Sequence, residues 1–200
     1  MKNLVIVDVN RTPKKTFVVS NKHAVFVIIA RFPKVKEATY RISLRGKGAH
    51  AMIIGLIMGS KNDFILHTLQ EHKAPETTSD LLVKAVLLDN ARFSYDGVIR
   101  VEKRAQKTDA YQRNENLLLS DSSFARSDPT LEILANDVRC THGATIGKIS
   151  EDELWYLASR GISNTMGRKL IAEGFLESAI MRISDTIAAQ SIRKRLWMTL

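Results

Sequence analysis

Gln106-Lys107-Thr108-Asp109-Ala110-Tyr111-Gln112-Arg113-Asn114-Glu115-Asn116 is a polar run set among short apolar, β-branched segments. Those segments recur on both sides of it: Leu4–Val9, Phe17–Val19, Ala24–Ile29, Tyr40–Leu44, Ala51–Ile57, Phe64–Leu69, Leu82–Leu88, Val98–Val101 and Leu131–Leu134. Small or polar residues stand between them, as in Arg45-Gly46-Lys47-Gly48, Ser60-Lys61-Asn62-Asp63 and Asp96-Gly97, and these read as turns. Several segments alternate with period two. Ile99 and Val101 oppose Val98, Arg100 and Glu102, and Ile42 and Leu44 oppose Arg41 and Ser43. A dozen such strands build a sandwich, a barrel or a parallel β-helix. The absence of two-residue hairpin signals such as Asn-Gly favours the β-helix, and in that fold the amides of Gln106 to Asn116 stack from coil to coil.

The texture changes at Ser150. Ser150 with Glu153 reads as a capping box, Leu154, Leu157 and Ala158 share a face, and Gly161 supplies the stop. A second helix starts near Ser163, with Met166, Leu170, Ile171, Phe175, Ala179 and Ile183 as its apolar stripe and Gly174 as a weak point. A third amphipathic segment runs from about Asp185 to Trp197, with Ile187, Ala188, Ile192 and Leu196 on one side. Helices this short need something to pack on, so the tail is expected to cover the open end of the strand stack or to dock a partner.

Composition narrows the function. The apolar fraction of 44% and charged fraction of 26% belong to an ordinary globular chain. Leu4 to Val7 is too short for a signal sequence or a membrane span, so a cytoplasmic protein is expected. The net charge of +9 is concentrated at one end, since residues 1–60 hold eleven bases against two acids and the remainder is neutral. Such a basic third could bind nucleic acid or an acidic partner, which leaves a basic nucleic-acid-binding module as an alternative, but no nucleic-acid motif accompanies the charge and its first reading is the outward faces of amphipathic strands. No P-loop, GxSxG or GxGxxG-helix pattern is present, so ATP hydrolysis is not expected of this chain.

One cysteine, Cys140, excludes an intrachain disulfide. It lies in Ala135-Asn136-Asp137-Val138-Arg139-Cys140-Thr141-His142-Gly143-Ala144-Thr145, where Cys140 and His142 share one strand face as two metal ligands should. Val138, Ala144 and Ile146 share that face too, which argues for an inward thiol and a buried, hydrogen-bonded histidine. One thiol holds no cluster alone, because clusters take four ligands. Two weaker constellations are His67 with His72 as a metal pair, and Asp109, Asp121, Asp128 and Asp137 as the carboxylates of a β-helical carbohydrate-active protein.

Ala105-Gln106-Lys107-Thr108-Asp109-Ala110-Tyr111-Gln112, Asn116-Leu117-Leu118-Leu119-Ser120, Leu131-Glu132-Ile133 and Asp137 to Thr145 resemble the core of the SufB/SufD family of iron–sulfur cluster assembly. The likeness continues through Glu153 to Ile162 and Gly174-Phe175, and upstream through His72 to Ser79, so it covers about Gly46 to Phe175. Residues 1–45 match in texture only. Asn114 stands where SufB-type chains tend to carry cysteine, and Gly143 where they carry glutamate, so the His-Gly-Ala-Thr form is SufD-like. The resemblance implies a right-handed parallel β-helix (residues 1–148) followed by a helical docking domain (149–200). It implies a non-catalytic scaffold that joins a SufB-like chain, or a second copy of itself, and a SufC-like ABC ATPase docked on the C-terminal helices. Glu153, Leu154, Tyr156, Leu157, Arg160, Ile162 and Phe175 are the docking residues expected on that basis. His142, with Cys140, is expected at a transient iron–sulfur cluster or iron shared with the partner chain, and no tightly bound cofactor, nucleic acid or membrane is expected. Family members are usually longer, with a helical N-terminal region, so the resemblance implies a form shortened there.

Overall fold

The computed structural model describes residues 3–20 and 23–197; Lys2 and Lys22, counted above in the basic third, lie outside them. The strands follow one another as β1 (Asn3–Asp8), β2 (Lys14–Val19), β3 (His23–Arg31), β4 (Glu37–Leu44), β5 (His50–Gly59) and β6 (Asp63–His72). They continue as β7 (Thr78–Leu87), β8 (Arg92–Val101), β9 (Thr108–Leu118), β10 (Phe124–Ile133) and β11 (Val138–Lys148). Three helices close the chain: α1 (Glu151–Ser159), α2 (Asn164–Ile180) and α3 (Thr186–Trp197). Odd strands form one sheet in the order β1-β3-β5-β7-β9-β11, and even strands a second in the order β10-β8-β6-β4-β2. Every pairing is parallel. The chain is therefore a parallel β-helix of about five turns, in which each coil lays one strand on each sheet.

Alternation explains the core between the sheets. Phe17, Tyr40, Phe64 and Phe93 of the even strands meet Phe26, Ile53, Leu81 and Val83 of the odd strands. Phe64 and Phe93 occupy successive coils with ring centroids 6.0 Å apart. The odd strands β3, β5 and β7 bury their outer faces as well. Val25, Val27, Ile54, Leu56, Met58, Leu82 and Val86 pack against Leu176, Ala179 and Ile180 of α2 and Ile192 and Leu196 of α3. Burial on both faces makes those strands continuous apolar runs, while β8, solvated on one side, alternates.

The tail thus covers a side of the solenoid and not its open end. The outward side chains of β3, β5 and β7 offer α2 and α3 a broad apolar face. Polar ties fix the placement. Lys84 on β7 sits 2.8 Å from Glu115, donates to Ser178 Oγ at 2.6 Å and lies 4.2 Å above the Phe175 ring. Arg182 pairs with Asp80, and Arg193 makes a two-pronged contact with Glu177.

Several local expectations need correcting. Asp96 and Gly97 are not a turn but lie within β8, with Gly97 facing inward. A Cβ there would come within 2.4 Å of both Gln112 Nε2 and Tyr95 Oη, so glycine leaves room for two polar groups inside the coil. Ser150 occupies the N-cap of α1 without a side-chain bond, so the capping box does not form, and Glu151, Asp152 and Glu153 instead complement the helix dipole. At the other end Gly161, at φ +80°, completes a Schellman turn in which the Ile162 N–H donates to Leu157 O and the Gly161 N–H to Ala158 O. On α2 the stripe is rotated: Gly167, Ala172, Leu176, Ala179 and Ile180 are buried, whereas Met166 and Leu170 are exposed. Gly167 lets α1 approach closely, with Leu157 and Leu154 at 3.3 and 3.4 Å from its Cβ position. On α3, Ala189 joins Ile192 and Leu196 in the core and Ile187 faces solvent.

Candidate functional site

Cys140 and His142 lie on β11, the last strand of the odd sheet, which pairs among the described residues with β9 alone. In register, Cys140 stands beside Ala110, His142 beside Gln112, Ala144 beside Asn114 and Ile146 beside Asn116. Those four β9 residues are all buried, so Cys140 and His142 occupy the inward face of the solenoid, as the alternation requires. His142 is nevertheless exposed, and so are Ala144 and Ile146. The expectation of a buried histidine therefore fails. Inwardness along a strand becomes full burial only when a further coil stacks on it; β11 faces β10 across the last coil, and after β11 the chain turns into α1 instead of starting another.

Cys140 behaves differently from its neighbour. It packs with Val138 and Leu131 against a small cluster of Ile99, Val101, Ala105, Ala110 and Ala135. Burial, aided by the Asp109 carboxylate, raises its thiol pKa above the ordinary value. It is accordingly protonated at neutral pH, a ligand to be deprotonated by a metal and not a standing nucleophile.

The neighbouring face of β9 carries a row of amides, Gln112 beside His142 and Asn114 and Asn116 beside Ala144 and Ile146. Asn116 Nδ2 donates to Asn114 Oδ1 at 2.7 Å and to Thr145 O on β11 at 3.2 Å, while Asn114 Nδ2 reaches Val83 O on β7 at 3.2 Å. The polar run Gln106 to Asn116 thus lies mostly on strand β9, and the Asn114 and Asn116 amides bond within that strand and to the backbones of the adjacent coils. Gln106 does likewise from the preceding turn, accepting from the Asp137 N–H at 2.9 Å. Gln112, fully buried and level with His142, has neither amide atom hydrogen-bonded among the described residues. An unpaired buried amide costs about 1–3 kcal/mol, which marks Gln112 as a further member of the site. Its place beside His142 follows from the coil length of the solenoid, which no local motif displays.

The terminal coil also exposes apolar side chains. Phe124, Ile133, Leu134 and Ile146 are all more than a third accessible. Strand β10 pairs only with β8, so both β10 and β11 present one open edge of backbone donors and acceptors among the described residues.

The weaker constellations come apart. His67 and His72 are five apart on β6 and so face opposite ways, His67 towards Asp96 at 3.1 Å and His72 into the core. Asp109, Asp121 and Asp128 each pair with a base, Arg139, Lys148 and Arg126 respectively. Among the described residues no three His, Cys, Asp or Glu side chains gather at a metal-binding distance.

The expected docking residues divide. Glu153, Tyr156 and Leu157 line a groove of about 410 Å³ together with Asp152 and Ile171. Arg160 lies over the Tyr156 ring at 5.4 Å, and Ile162 is half-buried. Leu154, at 3% exposure, and Phe175, beneath Lys84, face the protein's own core. Trp155, 73% exposed beside Tyr156 at 55%, was not singled out from sequence, because a lone tryptophan in a helical heptad reads equally as core.

Comparison with known proteins places this geometry. The family model of the SUF system FeS cluster assembly SufBD core domain matches residues 13–175. The chain belongs to the SufBD core family. The match begins well upstream of Gly46, so the basic coils that resembled the family in texture only are part of it. The chain is 33% identical over 154 residues to the iron–sulfur cluster assembly protein SufD of Escherichia coli, covering 76% of this chain and 36% of that one. It is 35% identical over 122 residues to a SufBD family protein of Synechocystis, covering 61% and 26%, and 28% identical over 135 residues to SufB of Bacillus subtilis, covering 67% and 29%. The chain thus spans about a third of the length of these relatives. No helix among the described residues is long and apolar enough to cross a membrane.

Proposed function

We propose that this SufBD core chain is a SufD-like scaffold of iron–sulfur cluster assembly whose terminal coil is half of a site completed by a second chain. The observation that carries this reading is the exposure of His142 on an inward strand face, over buried amides and beside a half-buried thiol. Two donors on one face fall short of the four a cluster takes, so the cluster, as cargo, draws its other ligands from the partner. That partner is a SufB-like chain or a second copy, added along the open edges of β10 and β11 with Ile133, Leu134 and Ile146 covered on contact. The groove at Glu153, Tyr156 and Leu157, flanked by Trp155, receives a SufC-like ABC ATPase, which supplies the ATP hydrolysis that this chain lacks the motifs for.

The test is cluster assembly by the co-expressed complex. His142→Ala is expected to lower iron and sulfide content about tenfold or more with the complex still intact, and Cys140→Ser to lower it less. Wild-type cluster content in His142→Ala would return His142 to a surface residue. Trp155→Ala with Tyr156→Ala is expected to release the ATPase from pull-down without loss of fold.

A further inference from the structure

At the opposite end of the solenoid from β11 lies a cleft of about 600 Å³, lined by Asp8, Asn10, Arg11, Ile29, Arg31, Phe32, Lys34 and Arg195. Its residues come from three separate elements: the turn after β1, the end of β3 with the turn that follows, and the last turn of α3. Four basic residues and one carboxylate line it. That carboxylate is already engaged, since Asp8 Oδ1 accepts from the Asn10 N–H at 2.9 Å. Arg31 is anchored in place, its Nε donating to Leu196 O at 3.0 Å and its guanidinium lying 4.7 Å from the centre of the Phe32 ring. Arg11, Lys34 and Arg195 are exposed and enter no ion pair among the described residues.

The backbone around the cleft is held in unusual form. Phe32 has φ +45°, a left-handed conformation that is costly for a bulky side chain, and its N–H donates to Met58 O at 2.7 Å. Lys34 is positioned by its own N–H, which donates to Asn10 Oδ1 at 2.7 Å. Sequence neighbours alone do not assemble this: Arg195 is brought in by the packing of α3 on the side of the solenoid. Like charges converging in a concave site destabilise the isolated chain, and an anion in their midst relieves that repulsion.

We propose that this cleft is a binding site for a compact polyanion of the polyphosphate class, held by Arg11, Arg31, Lys34 and Arg195. Three exposed bases outside any ion pair among the described residues, beside the anchored Arg31, and a volume well above that of a single phosphate match a chain of two or three phosphates. The site is remote from Cys140 and His142, so neither it nor its failure bears on the scaffold reading.

The experiment titrates the full 200-residue chain with inorganic tripolyphosphate, and separately with ATP, by calorimetry at about 150 mM salt. Saturable one-to-one binding with a Kd below about 1 mM is expected for tripolyphosphate, weakened about tenfold or more by Arg11→Gln with Arg195→Gln. Both positions are exposed, and circular dichroism checks their fold; Lys34→Gln alone provides a second variant and is expected to weaken binding several-fold. The control Lys103→Gln with Arg104→Gln removes equal charge from a distant turn and is expected to leave the Kd unchanged. ATP binding more tightly than tripolyphosphate identifies the source as a nucleotide, and equal binding identifies the phosphate chain itself. No saturable binding of either ligand, or equal weakening by the control pair, overturns the proposal.

Discussion

Acid should destabilise this solenoid through one histidine inside its core. His72 ends β6 with no accessible surface. Its Nδ1 lies 2.8 Å from Thr77 Oγ1 and its Nε2 2.8 Å from Ser79 Oγ. Thr77 donates its own proton to Ala74 O, so Nδ1 must donate to Thr77. Ser79 accepts from Gln70 Nε2 at 2.7 Å, leaving its proton for Nε2. The network therefore selects the neutral Nδ1–H tautomer. A proton added at Nε2 would strand the Ser79 hydroxyl and place a cation in the core. Burial accordingly lowers the pKa of His72 from 6.5 to about 4. Since the folded-state value lies below the unfolded one, the unfolded chain binds more protons between those two pH values. The stabilisation is whole above about pH 6.5 and is lost as pH falls towards 4, to a total of about 3 kcal/mol. Against an ordinary domain stability of about 5–15 kcal/mol, that is a large share. Urea denaturation at steps between about pH 7.5 and 4.5 measures it, with His72→Asn, which keeps a donor and an acceptor, as reference. Wild type should lose about 2.5 kcal/mol more than His72→Asn over that range. Parallel curves for the two proteins would refute the assignment, because surface carboxylates titrate alike in both.

Gly46→Ala places a Cβ 1.6 Å from the Ser20 carbonyl oxygen, a clash with backbone that must displace one coil turn from the next; thermal denaturation should show a loss of about 2–3 kcal/mol. Lys84→Ala removes the cation shared by Glu115, Ser178 and the Phe175 ring and leaves the partly buried Glu115 carboxylate with Arg113 as its one remaining ion-pair partner among the described residues, at a cost of about 1–2 kcal/mol. Hydrogen exchange should show that loss first in α2, and uniform loss across the solenoid would count against a latch. Leu154→Ala should cost about 2–4 kcal/mol in urea denaturation, whereas Tyr156→Ala stays within about 0.5 kcal/mol. Equal effects would mean that the inward and outward faces of α1 are misassigned.

Which parts were legible in sequence follows from how local each cause is. Strand existence was, since β-branched runs with small-residue turns need no partner to be recognised. The stop at Gly161 and the start at Ser163 were too, because a left-handed glycine and a capping hydroxyl act within four residues. Ser150 was placed correctly yet makes no side-chain bond, which depends on rotamer and not on spacing. The α2 stripe was read from the largest apolar residues, but close helix packing put Gly167 and Ala172 inside and left Met166 out. Gly97 reads as a turn in sequence because part of its cause, room for Gln112 beside Tyr95 Oη, comes from the next strand of the solenoid, β9.

The site shows the same rule at its sharpest. Period-two alternation placed Val138, Cys140, His142, Ala144 and Ile146 on the inward face, and the register with Ala110, Gln112, Asn114 and Asn116 bears that out. What alternation cannot carry is which coil comes last. In an inner coil the same pattern gives the closed packing of Leu81, Val83 and Ala85 on β7; on β11, with no further coil stacked on it among the described residues, it gives an open face. An open inward face has a core's geometry and a surface's accessibility. Its side chains are aimed at a common axis, as ligands for shared cargo must be, and solvent or a second protein reaches them without unfolding. His142 therefore needs no partner-driven opening to be exposed in the isolated chain. A partner's role on this reading is to close the coil. A cysteine-directed reagent distinguishes the two arrangements: Cys140 should be modified slowly in the free chain, as a half-buried protonated thiol, and be protected further once a second chain binds. Faster modification in the complex would mean that the partner opens the coil.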